Sequence, residues 1–349
     1  MIKSKGYAAM TAGAELQPWE FERRDLAPTD VLIEILYCGV CHSDLHQVRN
    51  DWFPGIFPMV PGHEIVGRIV QTGSQANKFK VGDLAGVGVM VDACHECENC
   101  RNHQEQFCMV SPVQTYNGLG RDKKPTFGGY STNIVVPEAF AHRVSEKLNP
   151  AAVAPLLCAG ITTWSPLRRW KVGKDHKVAV VGLGGLGHMA VKFAVALGAE
   201  VTILSTSASK KRDAESLGAR HFVITTDADQ LNTARHAFDF IVDTVSANHD
   251  LNTYLSLLKT NGTIICVGAP EKPHEVPVFS LLGGNKTIAG SGAGGLDETQ
   301  EMLDFCAEKG IVSDIEMIAI QDIQKAFDRM EKGDVRYRFV IDMASLKES

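Results

Sequence analysis

Apolar and polar positions along this chain follow two rhythms that change near residue 150. Before that point, short apolar runs stand between clusters of glycine, proline and polar residues. Val31 to Tyr37, Ile65 to Val70 and Asn133 to Val136 read as strands, and the glycine-spaced run from Gly86 to Asp92 as a turn and strand of the same kind. That pattern predicts a mainly β unit. From Asn149-Pro150 onward the period becomes helical, with Ala151 to Leu157 apolar up to Cys158 and a connecting helix starting at Gly160. Strands then recur at Val178 to Val181, Val201 to Leu204, Phe222 to Thr225, Phe238 to Val242 and Thr263 to Val267. Helical stretches separate several of them, one running to Leu197 and stopping at Gly198, another over Lys210 to Leu217. This is the succession of a parallel α/β sheet. Beyond Gly292 to Gly295, Asp297 and Gln300 form a capping-box pattern ahead of a helix expected to bury Met302, Phe305 and Cys306. A last helix over Ile323 to Met330 and a strand over Tyr337 to Ile341 close the chain, and these segments are expected to return to the first unit.

The apolar strand Val178 to Val181 leads into Gly182-Leu183-Gly184-Gly185-Leu186-Gly187. The spacing Gly182-x-Gly184-x-x-Gly187 suits a tight turn that opens a helix onto a pyrophosphate. Composition adds bounds. At 349 residues the chain has room for two domains, and its 44% hydrophobic and 22% charged content is ordinary for a globular protein. Lys plus Arg number 35 against 41 for Asp plus Glu, and a net charge of -6 argues against nucleic acid as a partner. The apolar runs are too short to span a bilayer, and Met1 to Tyr7 carry no apolar signal region, so no membrane association and a cytoplasmic location are expected.

Nine cysteines change the picture, because four of them fall between residues 94 and 108. Cys94-x2-Cys97-x2-Cys100-x7-Cys108 supplies four thiolates within reach of one ion. Zinc takes such a set in a closed tetrahedron with no position left for substrate, which reads as structural. A second set is scattered: Cys41, His63, Glu64 and Cys158, with Cys38, His42 and His46 nearby. Spacing alone leaves its choices open. Cys38-x2-Cys41 could be half of a zinc or redox pair, and Cys158 in its apolar run could be a core cysteine.

The stretches C-G-V-C-H-S-D-L-H (38–46), P-G-H-E (61–64), the four-cysteine loop, C-A-G-I-T-T (158–163), G-L-G-G-L-G (182–187) and R-Y-R-F-V-I-D (336–342) resemble the zinc-containing medium-chain alcohol dehydrogenases. Within them the sequence is most similar to the cinnamyl alcohol dehydrogenase-like branch and its bacterial aldehyde reductases. The resemblance runs through the whole chain in order. It implies a mainly β GroES-like catalytic domain over 1–155, a Rossmann-type doubly wound parallel sheet over 156–292, and a segment over 293–349 that returns to the first. It also implies catalytic zinc on Cys41, His63 and Cys158, with Glu64 able to replace water transiently, and Cys38 as a core thiol. Asp44 would orient the ligating histidine, Ser43 would touch the substrate oxygen, and His46 would exchange the proton with solvent. His42 occupies a position that is often arginine in the wider family, facing pyrophosphate, where Arg338 could compensate.

After Leu204 the chain reads Ser205-Thr206-Ser207-Ala208-Ser209-Lys210-Lys211, with no acid where the ribose of NAD would want one. Small hydroxyls with Lys210 suit a 2′-phosphate, so NADP(H) is the expected cofactor and aldehyde reduction the expected direction. Trp52, Met59, Val91 and the 292–296 loop are candidate pocket walls, and the small residues of that loop suggest a broad aliphatic and aromatic aldehyde range. The rival enzyme reading is an NAD-linked polyol or secondary-alcohol dehydrogenase. A non-catalytic zinc- and nucleotide-binding sensor is the rival from another class. The apolar edge near Lys286 to Gly290 suggests a homodimer.

Overall fold

Strand Asp30–Val40 is the spine of the first unit. From Val31 to Ile35 every second side chain is buried, and Cys38, Gly39 and Val40 are all buried, so the strand passes from one-sided to two-sided burial. It pairs antiparallel with Ile65–Thr72, Asn133–Pro137 and Arg338–Asp342. The sheet continues through Leu84–Val87 to His142–Arg143 on one side and Ile315–Ala319 on the other. Alternating Val31, Ile33 and Ile35 form one core with Ile69, Val136, Phe327 and Phe339. The computed structural model describes residues 1–348. Contacts divide the chain into Met1–Ile161 with the residues from Gly294 onward, and Thr162–Ala293.

The first unit thus extends past residue 155, and the packing explains why. Asn149 caps the short helix Pro150–Val153 by accepting from the Ala151 amide at 3.1 Å, with Pro150 at the first helical position. The 3-10 turn Ala154–Leu157 that follows is wholly buried. A side chain at Gly86 would collide with Leu157, so the bare backbone of the neighbouring strand is what admits it. Cys158 is delivered at the end of that turn.

Helix Leu296–Lys309 departs from the capping-box expectation. Its N-cap is Gly295, and the Leu296 amide donates instead to Glu105 Oε2 at 3.0 Å. A side chain at residue 295 would overlap the carbonyl of His103, so a capping residue does not fit there. Asp297 pairs with His103 and Gln300 bonds the backbone of Arg143. Met302 and Cys306 are buried as expected, but Phe305 is half-buried and Leu303 takes the core position.

In the second unit six parallel strands lie in the order His221–Ile224, Glu200–Ser205, Lys177–Val181, Phe238–Asp243, Leu258–Cys266, Thr287–Gly290. This is the doubly wound order, whose chain reversal falls beside the first strand. Val178 to Val181 are all buried, as a strand covered on both faces requires. Thr287–Gly290 closes one edge. Among the described residues no helix is long and apolar enough to cross a membrane.

Candidate active site and metal centres

The first unit gathers one donor atom each from Cys41, His63, Glu64 and Cys158, all within 4.8 Å of one another and all four grouped around one point. Each arrives by a local device. Cys41 follows strand Asp30–Val40 and caps helix His42–Arg49, where its amide donates to Asp44 Oδ2 at 2.9 Å, one arm of a capping box. Asp44 Oδ1 accepts from Gly62 N at 3.1 Å and from His63 Nδ1 at 3.1 Å. A carboxylate can only accept, so Nδ1 carries the hydrogen and Nε2 is left as the metal-facing nitrogen. Burial works against a charged His63, yet adjacent Asp44 holds its pKa well above the ordinary imidazole range.

Cys41 Sγ and Cys158 Sγ stand 3.8 Å apart, and the hydrogen bond between them holds Cys41 well below the usual thiol range. Two soft sulfurs, one imidazole nitrogen and a carboxylate form a donor set suited to zinc. Glu64 is fully buried, and burial pushes its carboxyl up to about 8 against the pull of Arg338. Its Oε1 accepts from Arg338, while Oε2 has no hydrogen-bond partner among the described residues. That orphaned oxygen would overlap any side chain at residue 39, so Gly39 is what makes room for it.

Arg338 is the ion-pair partner of Glu64. It lies on Arg338–Asp342, whose first four residues are buried, and this directs its guanidinium onto Glu64 within the metal centre. Ser43 Oγ lies 2.9 Å from Cys41 Sγ. His46 is held by Asp51, Nδ1 to Oδ2 at 2.8 Å, and stacks on Trp52 with ring centroids 4.7 Å apart. His42 is exposed at the start of its helix, and Cys38 is fully buried as a core thiol whose pKa burial raises. Of the candidate pocket walls, Met59 is fully buried, paired through its backbone with Ala9, and Leu296 packs on the cysteine loop. Tyr130 was missed by sequence reasoning. Its hydroxyl donates to Asp44 Oδ2 at 2.9 Å, and only Gly128-Gly129 before it hinted at a close approach. The Tyr116 ring lies 5.8 Å from that of His63 and was also missed.

Cys94, Cys97, Cys100 and Cys108 also bring their sulfurs within 4.8 Å of one another. Backbone amides of Cys94, Cys97 and Met109 donate to the sulfurs of Cys108, Cys94 and Cys97 at 3.3 to 3.4 Å. Such bonds favour the thiolate, and they hold Cys97 and Cys108 below the usual thiol range while burial pushes Cys100 up, so the loop fits a four-sulfur zinc site.

In the second unit Gly182 has φ +84° and ends the strand in the left-handed region. A side chain at Gly187 would meet the Gly182 carbonyl at 2.2 Å, whereas one at Gly184 would meet nothing. The turn is closed at Gly187 and open at Gly184, a cradle for a dinucleotide at the start of helix Gly187–Ala196. Ser205 is buried and accepts from Ser207 N at 3.2 Å, Thr206 is exposed, and Lys210 Nζ reaches the Leu183 carbonyl at 2.9 Å. Lys210 is thereby brought beside the glycine turn.

Residues 27–146 match the family described as alcohol dehydrogenase GroES-like domain, and residues 185–308 the one described as zinc-binding dehydrogenase. The chain is 52% identical to the probable formaldehyde dehydrogenase AdhA of Bacillus subtilis, over 96% of each chain. It is 51% identical to the aldehyde reductase YahK of Escherichia coli, over 99% of this chain and 100% of the other. The solved cinnamyl alcohol dehydrogenase of Helicobacter pylori, complexed with NADP(H), superposes with a TM-score of 0.93 at 44% identity, covering 98% of this chain and 99% of that one. The chain belongs to the zinc-containing medium-chain alcohol dehydrogenases, in their cinnamyl alcohol dehydrogenase-like branch, and is an alcohol/aldehyde oxidoreductase.

Proposed function

We propose that this protein is a zinc-dependent reductase that uses NADPH to convert a broad range of aliphatic and aromatic aldehydes to primary alcohols, reversibly. The observation that carries the reading is the buried group Cys41, His63, Cys158 and Glu64, in which the carboxylate already has an arginine partner. Three ligands then remain for an ion that keeps an open position. Zinc there supplies Lewis acidity toward the carbonyl oxygen, and the reduced nicotinamide supplies the hydride.

The remaining roles fall to this chain's own side chains. Cys41 and Cys158 bring negative charge that tempers the ion, and Asp44 fixes the tautomer of His63. Ser43 hands a proton to the oxygen of the reduced carbonyl. His46, with Nδ1 engaged by Asp51, uses Nε2 to replenish it from solvent. Gly182, Gly184, Gly185, Leu186 and Gly187 cradle the pyrophosphate, and His42 is assigned to bind cofactor on the family resemblance. Ser205, Thr206, Ser207 and Lys210 receive the 2′-phosphate. The absence of any carboxylate from Ser205 to Lys211 supports NADP(H) over NAD. Cys94, Cys97, Cys100 and Cys108 hold the second zinc. Reduced thiolates at both centres suit a cytoplasmic enzyme. Exposed Phe279 and Leu282 near the edge strand Thr287–Gly290 support a homodimer paired through this edge.

The test is initial rate over a panel of aliphatic and aromatic aldehydes with NADPH and NADH in parallel, on protein of measured zinc content. The expected result is a kcat/KM at least tenfold higher with NADPH and turnover of both aldehyde classes. Preference for NADH, or activity confined to polyol or secondary-alcohol oxidation, would overturn the reading.

A further inference from the structure

A third group of metal-capable side chains belongs to the second unit, and neither the proposed reaction nor the glycine turn uses it. Asp243 ends strand Phe238–Asp243, His249 lies on the loop that follows, and His274 lies on the loop after Leu258–Cys266. One donor atom from each is within 4.8 Å of the other two. Asp243 is buried and both imidazoles are half-buried, their ring centroids 4.8 Å apart and nearly edge to face.

The hydrogen bonds of His249 show what this arrangement lacks. Its Nδ1 stands 2.8 Å from the carbonyl oxygen of Ala247, which can only accept, so Nδ1 carries the hydrogen. Its Nε2 stands 2.8 Å from Oδ2 of Asp243. In a neutral ring that nitrogen presents a lone pair, and a lone pair facing a carboxylate oxygen is repulsive. A positive centre belongs between them, either a proton or a metal ion. His274 favours the ion. It makes no hydrogen bond among the described residues, and a proton shared by the other two gives it no part, whereas an ion takes a second imidazole. The carboxylate is also braced as a ligating carboxylate usually is: Oδ1 accepts from Val245 N at 3.1 Å, which leaves Oδ2 toward the histidines.

We propose that Asp243, His249 and His274 form a binding site for a divalent transition-metal ion, which takes two imidazole nitrogens and one carboxylate oxygen, with water in the remaining positions. Two imidazoles and a carboxylate suit borderline ions such as nickel, cobalt and zinc. The ion replaces the proton of the His249–Asp243 bond, and the two atoms part to the ~3.3 Å that tetrahedral ligands at about 2.0 Å require. It ties the loops that follow two adjacent strands. One of those loops carries Thr244, bonded to the Val181 carbonyl at 2.7 Å, and Val245, packed against Gly182. The tie therefore lies directly behind the dinucleotide turn.

The experiment is calorimetric titration of the untagged, zinc-loaded, full-length protein with Ni2+, with retained zinc measured at the end point. The expected result is one saturable equivalent of nickel with no zinc released, and a melting temperature that rises with nickel. His274→Ala should weaken nickel binding at least tenfold and remove the thermal shift, while melting like the parent without nickel. His249→Gln gives a second variant, with the same expected loss. Absence of a saturable equivalent in the parent protein, or unchanged nickel affinity in both variants, would overturn the proposal and leave the pair as an imidazolium–carboxylate bond.

Discussion

The two cysteine-bearing centres of the first unit are built to opposite specifications. In the 94–108 loop, four ligands of one kind come from one segment, and backbone amides already donate to the sulfurs. In the other centre, Cys41 comes from a strand end, His63 and Glu64 from the approach to the next strand, and Cys158 from the end of a 3-10 turn. Its donors are mixed, and its carboxylate is tied to Arg338. Four like thiolates in a short loop favour a saturated ion that holds the fold. Mixed ligands with one carboxylate that has another partner favour an ion whose coordination can change during turnover. On the proposed reading one element would serve stability in one place and exchange in the other, and what differs between the two sites is where the ligands come from and what braces them.

The largest expected effect comes from breaking the closed loop. Cys108→Ser removes a buried ligand from a kind of site whose apparent zinc affinity is about 10–16 kcal/mol in small peptides, and that affinity is folding free energy. Glu105, in the same loop, caps helix Leu296–Lys309, so the damage spreads to that helix. Metal analysis should show one zinc fewer per chain. Melting should fall by roughly 10 °C or more, at about 2–4 °C per kcal/mol for a domain of this size. A variant that keeps both zincs and melts like the parent would erase the distinction between the centres.

Asp44→Asn probes the adjustable centre and should act on activity more than on folding. The carboxylate accepts from the amides of Cys41 and Gly62, from His63 Nδ1 and from the Tyr130 hydroxyl. An amide at this place turns one acceptor into a donor facing donors, and His63 loses its fixed tautomer. Outer-shell changes of this type typically cost about 10–100-fold in metal affinity or activity. The matching measurement is kcat/KM with zinc content on the same sample. Full zinc occupancy with unchanged kcat/KM would show that Asp44 does not orient the histidine.

The same contrast explains what could be read from the sequence. The four-cysteine loop is local, so spacing alone pointed to one ion. The glycine turn is local too, and its strand, turn and helix follow one another along the chain. The mixed centre joins residue 41 to 338 through the antiparallel pairing of Asp30–Val40 with Arg338–Asp342, and to 158 through the packing of the buried 154–157 turn, and there the family resemblance did what spacing could not. Arg338 shows the limit: its position was legible as a site residue, but its partner Glu64 was not, because a strand pairing decides which way it faces. The Asp297 and Gln300 pattern looked like a cap, yet the helix is capped by Glu105, brought from a distant segment.

Tyr130→Phe is the finest cut through the adjustable centre. The ring is fully buried, and its hydroxyl donates to Asp44 Oδ2, which the Cys41 amide also reaches. Removing the hydroxyl leaves Oδ2 with that amide and leaves Oδ1 with Gly62 and His63, so no acceptor is abandoned in the interior. A hydrogen bond to a charged group contributes about 1.5–3 kcal/mol, and because Oδ2 keeps one partner the stability loss should fall at the lower end of that range. With His63 still held by Oδ1, kcat/KM should fall less than tenfold, well short of the Asp44→Asn effect, and zinc content should not change. Kinetics and chemical denaturation of the two variants side by side decide the matter. If Tyr130→Phe matched Asp44→Asn in lost activity, the orientation of His63 would rest on the tyrosine as much as on the carboxylate. The centre would then be braced from the 128–131 turn instead of from the helix cap at Cys41.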